Sequence, residues 1–267
     1  MIVACLKWSS RPDAPDDDRF AGVSPADQAA LEIALVLGAA RGEDVVAVSV
    51  GPVGAEAALR NALACGAGRA VRIELTGPAE PAEADSRDVA AALAGVAVGA
   101  SLVVCGDYSL DRGSGSVPAF LAHRLGAAQA LGLVAIDAAG TGPVRAVRRL
   151  DGGRREVLDV AGPCVLSVEG SVAVLRRAGL KAALASRQVD IEVLRAGADH
   201  QPHSGSAAPY RPRARVLAAP QGAAALDRLL ALKDGGGSSH RGETIEAAPT
   251  EAAARIVDAL RSWGYLG

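Results

Sequence analysis

Three short runs in the first half of the chain, "MIVACLK", "EDVVAVSV" and "SLVVCG", are apolar on both faces rather than alternately apolar and polar, and "RAVRIEL" reads as a further strand among them. Strands that read this way are covered on both sides, a condition met mainly in parallel sheets flanked by helices. The segments between them have helical character. "SPADQAALEIALVLGAARG" opens with Ser24 as N-cap and Pro25 at the first helical position, and it stops at Gly42. "GAEAALRNALACGAG", "SRDVAAALAGVAVGA" and "GSVPAFLAHRLG" repeat the theme. The fold class expected is α/β: a mostly parallel, Rossmann-like sheet with helices on both faces, joined by right-handed crossovers.

From about Leu131 the rhythm changes. "LGLVAIDA", "PVRAVRRL", "REVLDV" and "PCVLSVE" follow in quick succession, with "DGG" as a hairpin turn. They are expected to form an antiparallel addition to the sheet. "SVAVLRRAGLKAALASRQ" reads either as an ordered loop or as a helix, and "DIEVL" closes the compact part. The expected organisation is a main domain over 1–195, an aperiodic linker over 196–213 and a helical arm over 214–267. Two helices beyond a linker cannot build a core of their own, so the arm must lie on the main domain or on a partner.

Composition narrows the function. Half of the residues are apolar but only 3% are aromatic, so the core is one of Ala, Val and Leu. A formal charge of −2 gives no concentrated positive field for nucleic acid. Cys5, Cys65, Cys105 and Cys164 are widely spaced in apolar surroundings and read as buried free thiols. The N-terminal stretch lacks a basic leader, and no apolar run approaches the ~20 residues of a membrane span. A cytoplasmic protein without membrane insertion is expected.

Ligands of open parallel sheets bind beyond the carboxyl ends of the strands. Lys7, Gly51 and Gly106 fall at such ends, so "LKWSS", "SVGPVG" and "GDYSLDRGSGS" should share one edge. The last of these packs Asp111, Gly113, Ser114, Gly115 and Ser116 ahead of a helix that starts at Val117. The Walker pattern is absent, no Lys lies near the loop in sequence, and G-x-G-x-x-G does not follow the first strand. What remains reads equally as a well-capped turn or as a site where backbone N–H groups and hydroxyls hold one phosphate. His123 reads as an ordinary helix residue, His200 and His203 as exposed linker residues. Asp13, Asp16, Asp17 and Asp18 read as a solvated loop rather than a cation site. No metal and no catalytic residue is expected.

"AVRRLDGGRREVLDVAGPCVLSVE", residues 146–169, resembles the signature of the electron transfer flavoprotein (ETF) beta subunit in the order of its bases, acids, glycines and closing apolar residues. Other stretches are similar to the same family: "ACLKW" at the start, "VSPADQAALEIAL", "VVAVSVGP" followed by "LRNALACGAGRAVRI", the loop from Gly106 to Val117 with Ser114 and Ser116 in place of the family's Thr and Gln, and the last helix. The resemblance implies a heterodimer with an alpha subunit that shuttles electrons from a dehydrogenase to a quinone-linked or protein acceptor. It implies a structural AMP in this subunit and an FAD at the interface with the alpha subunit, in an electron carrier rather than a catalyst. Carried over by position, the nucleotide contacts are Ala4, Ser24, Asp27, Val50, Gly106, Asp111, Ser114, Gly115, Ser116 and Val117. The phosphate falls to the amides of 115–117.

"RRAGLK" places Leu180, with Arg176 ahead of it, where the family anchors its partner dehydrogenase. Arg177 and Lys181 replace the usual aromatic and Pro there, Ala26 replaces the aromatic after the family's "N-P", and Trp8 offers a ring near the flavin instead. These departures mark a divergent member, of the kind tied to a specialised dehydrogenase system such as that of mycofactocin. The alternatives are a stand-alone nucleotide binder resembling universal stress proteins, a bifurcating ETF subunit with a second FAD, or a scaffold with no ligand. The stress-protein phosphate pattern is absent here, as is the S-G-G-x-D-S loop of ATP pyrophosphatases.

Overall fold

The computed structural model describes residues 1–10, 19, 21–76, 84–137, 142–197, 222–233 and 245–265. Asp13, Asp16, Asp17, Asp18, His200, His203 and residues 198–213 of the expected linker lie outside the described residues. The chain divides into two compact units, Met1–Ser204 and Gly205–Gly267.

In the first unit, β1 (Ile2–Cys5) is central to a nine-stranded sheet. β2 (Val45–Val50), β3 (Arg69–Thr76) and the late strand β9 (Glu192–Gly197) extend it on one side. On the other lie β4 (Leu102–Gly106), β8 (Cys164–Val168), β5 (Ala128–Asp137), β6 (Val144–Arg149) and β7 (Arg155–Val160), in that order. The antiparallel part is smaller than the sequence suggests. β8 pairs parallel with both β4 and β5, and only the β5–β6 and β6–β7 pairs are antiparallel. Burial explains the difference. All of "CVLSV" is buried, so β8 belongs inside the sheet, whereas β7 alternates exposed with half-buried positions and suits an edge. The turn between β6 and β7 is the Asp151–Gly153 stretch, with Gly152 and Gly153 at positive φ.

Among the described residues four helices cover the sheet. α1 (Pro25–Arg41) and α2 (Ala55–Cys65) lie on the side of Ile2 and Ala4. α3 (Ser86–Ala97) and α4 (Val117–Leu125) lie on the side of Val3 and Cys5. The split follows from the period of two along a strand. α5 (Leu180–Ser186) begins only after an irregular stretch, so the ambiguous segment is loop first and helix second. Both clusters are rich in Ala, Val and Leu, as the scarcity of aromatics requires.

The sheet order reverses at β1: β2 and β3 lie on one side, β4 on the other. The connections leaving β1 and β4 therefore part, and a crevice opens beyond their carboxyl ends. The second unit contains α6 (Ala225–Lys233) and α7 (Pro249–Ser262), with Ile256, Trp263 and Tyr265 exposed. Among the described residues no helix is long and apolar enough to cross a membrane.

Candidate functional site

The crevice is a cavity of about 720 Å³ walled by the segments that follow β1, β2 and β4 and by the first turns of α3 and α4. Its floor is organised by Asp27. Ser24 caps α1 by accepting from the Asp27 N–H at 3.0 Å, which turns the Asp27 side chain toward the strand ends. The carboxylate accepts from the Lys7 N–H at 3.1 Å and also from the Gly106 N–H and the Ser24 hydroxyl. Burial pushes its pKa up to about 7, and these hydrogen bonds only partly oppose the rise. One side chain thus ties the ends of β1 and β4 to the start of α1.

Gly106 makes that approach possible. A Cβ there would stand 2.5 Å from Asp27 Oδ1 and 2.8 Å from its backbone nitrogen. Gly115, at φ 58°, is a second enforced glycine, since a Cβ would lie 2.8 Å from the Asp107 carbonyl oxygen.

The loop between β4 and α4 is held from several directions. Lys7 Nζ reaches across to Asp111 at 2.7 Å. Burial by itself would raise the Asp111 carboxyl, but the Lys7 ammonium, the Arg112 N–H and the Ser109 hydroxyl more than offset it and hold it below the usual range. Arg112 Nη1 donates to the Ala84 carbonyl at 2.7 Å, and the Ser116 hydroxyl donates to Ser86 Oγ at 2.9 Å, so the loop is tied to the start of α3. Ser114 and Ser116 hydroxyls share a 3.1 Å hydrogen bond.

α1 and α3 carry side-chain caps from Ser24 and Asp85, but α4 begins with none. The positive end of α4 is therefore open at the cavity edge, next to the backbone of Gly115, Ser116 and Val117. The opposite wall, Val50 to Gly54, is fixed by the buried Arg72. That guanidinium pairs with Glu56 at 3.2 Å and donates to the Gly51 carbonyl at 3.3 Å. Trp8 lies against Gly54, where a Cβ would come within 2.9 Å of its Nε1. Ser9, which also lines the cavity, has a buried hydroxyl with no hydrogen-bond partner among the described residues.

A model of the electron transfer flavoprotein domain family matches residues 16–199. The chain belongs to the ETF beta-subunit family. It is 31% identical to Protein FixA of Azorhizobium caulinodans over 179 residues, 64% of this chain and 63% of that one. It is 30% identical to the electron transfer flavoprotein subunit beta of Syntrophomonas wolfei over 181 residues, 66% of this chain and 68% of that one. Against the subunit beta of Mycobacterium tuberculosis it is 30% identical over 150 residues, 56% of each chain. The chain thus spans between about half and two thirds of the length of these relatives.

Of the residues singled out by this ETF resemblance, Asp27, Val50, Gly106, Asp111, Ser114, Gly115, Ser116 and Val117 meet around the one cavity, with Trp8 beside them. Ala4 and Ser24 are not on its wall. Ala4 faces the α1 side of the sheet, and Ser24 acts through Asp27. Arg176 and Leu180 lie elsewhere. The Arg176 guanidinium is bound bidentately to Glu32 on α1, holding that carboxyl below its usual range, while Leu180 opens α5 with 77% of its surface exposed.

Sequence reading missed three things. Lys7 does serve the loop, across 104 residues of chain, and no local pattern announces that. Tyr108 and the Cys5–Cys105 pair also line the cavity, and strand alternation together with the β1–β4 register would have found the two thiols.

Proposed function

We propose that this chain is the beta subunit of a heterodimeric electron transfer flavoprotein and that its cavity holds AMP as a structural group. The observation that carries this reading is the start of α4. An uncapped helix N-terminus meets Gly115 and the Ser114 and Ser116 hydroxyls at the edge of a cavity of about 720 Å³. The residues fit a nucleotide: backbone N–H groups and hydroxyls for the phosphate, apolar Val50 and Cys5 deeper in, and the orphaned Ser9 hydroxyl as a further polar contact. Its lysine is already paired with Asp111, which suits holding better than reacting. Ala4 and Ser24 support this wall from behind.

The alpha subunit completes an FAD site at the interface, and that flavin supplies the one- and two-electron chemistry. This chain contributes shape, orientation and a docking face. Leu180 is the anchor for a donor dehydrogenase, and a quinone-linked or protein acceptor takes the electrons onward. The arm over 214–267 packs on the alpha subunit, and the complex works in the cytoplasm as a carrier rather than a catalyst. Arg176 acts on the recognition segment indirectly, through its clamp on Glu32.

A second reading has its own support. Trp8 and Tyr108 both border the cavity in a chain with only two Trp, three Tyr and two Phe, and such rings suit a flavin in the AMP position. Co-expression with an alpha subunit, followed by mass spectrometry of heat-released ligand, separates the two. One AMP and one FAD per heterodimer is the expected result. Two FAD establish the second reading, and a colourless chain that pairs with no alpha subunit refutes both.

A further inference from the structure

Two of the four cysteines meet at the cavity floor. The parallel register that sets Ala4 beside Val104 carries on to set Cys5 beside Cys105. Both side chains lie on the α3–α4 face, both are buried, and both line the cavity. The neighbouring Cys5 thiol, together with burial, pushes the Cys105 thiol well above its ordinary range. The other two cysteines sit apart. Cys65 donates to the Arg176 carbonyl at the end of α2, and Cys164 begins β8.

We propose that Cys5 and Cys105 form a reversible dithiol–disulfide site on the cavity floor, oxidised by hydrogen peroxide that enters through the cavity. Adjacent strands run about 4.8 Å apart, inside the ~4.4–6.8 Å between Cα atoms that a disulfide spans. In parallel strands the two Cβ atoms stay about that far apart as well, beyond the ~3.8 Å a relaxed disulfide prefers, so the bond forms under strain and is easily reduced.

The chemistry balances without any group beyond the peroxide. The Cys5 sulfur attacks one peroxide oxygen and the O–O bond breaks. The departing hydroxide takes the Cys5 proton as water, leaving a sulfenic acid. The Cys105 sulfur then displaces the sulfenic hydroxyl, which leaves with the Cys105 proton as a second water. Two thiols lose two electrons, and one peroxide becomes two waters. The bond joins β1 and β4 where the chain parts into the two cavity walls, so oxidation fixes the width of the floor. None of this requires a ligand in the cavity.

The test is peptide mapping of the full chain after hydrogen peroxide treatment, under non-reducing conditions. The expected result is loss of two of the four free thiols, a Cys5–Cys105 linked peptide lighter by two hydrogens, and full reversal by dithiothreitol. A variant with Cys65→Ser and Cys164→Ser should keep the link, and Cys105→Ser should leave Cys5 as a sulfenic or sulfinic acid. Four thiols still free after treatment, or a wild-type Cys5 oxidised to sulfinic acid with no linked peptide, would overturn the proposal.

Discussion

Gly106 has no room for a side chain, because a Cβ would meet Asp27 Oδ1 at 2.5 Å. Gly106→Ala is therefore expected to destabilise the protein by about 2 kcal/mol, as overpacking does, and denaturant unfolding measures it. Asp27 makes a second prediction, about pH. Its folded pKa of about 7 exceeds the unfolded 3.8, so the folded state binds the extra proton between those values. Raising pH through that window removes stability, by about 4 kcal/mol at most, and the loss is complete above pH 7. Glu32 and Asp111 are shifted down instead, so they act oppositely and in more acid solution, where stability falls as pH drops. Melting temperature is expected to decline from pH 5 to pH 8 in the wild type, and Asp27→Asn should flatten that slope.

At the level of elements, the start of α4 and the exposed end of α5 behave as separate devices. Gly115→Ala strains a φ of 58° and presses on the Asp107 carbonyl, which shifts the segment that presents N–H groups at the start of α4. Its expected effect is a loss of bound nucleotide of about tenfold or more, read by mass spectrometry of the purified complex, since one charge-assisted hydrogen bond is worth about 1.5–3 kcal/mol. Leu180, 77% exposed, makes the opposite case. Leu180→Ala should leave unfolding within about 0.5 kcal/mol of wild type, yet lower electron transfer from the donor dehydrogenase roughly tenfold or more, as loss of an interface anchor does. Unchanged transfer would remove α5 from the docking face.

For the whole molecule, the division at Ser204 makes the final test. The first unit has its own sheet and both core clusters, so a chain ending there is expected to unfold cooperatively. Without the arm, the flavin content of a co-expressed heterodimer should fall, and absorbance at the flavin band measures it. The sequence by itself determined the layered architecture. Doubly buried runs leave a parallel sheet as almost the only way to hide both faces, and cap residues set the helix starts. It also determined the family, through residues 146–169, and placed the loop from Gly106 to Val117 at a strand end. What only the tertiary structure decided were the meetings between distant segments. Lys7 finds Asp111, Cys5 finds Cys105, Arg176 closes on Glu32, and β8 enters between β4 and β5. Local patterns encode the direction in which a residue points. The partner waiting there depends on strand order, which is fixed only when the entire sheet is assembled.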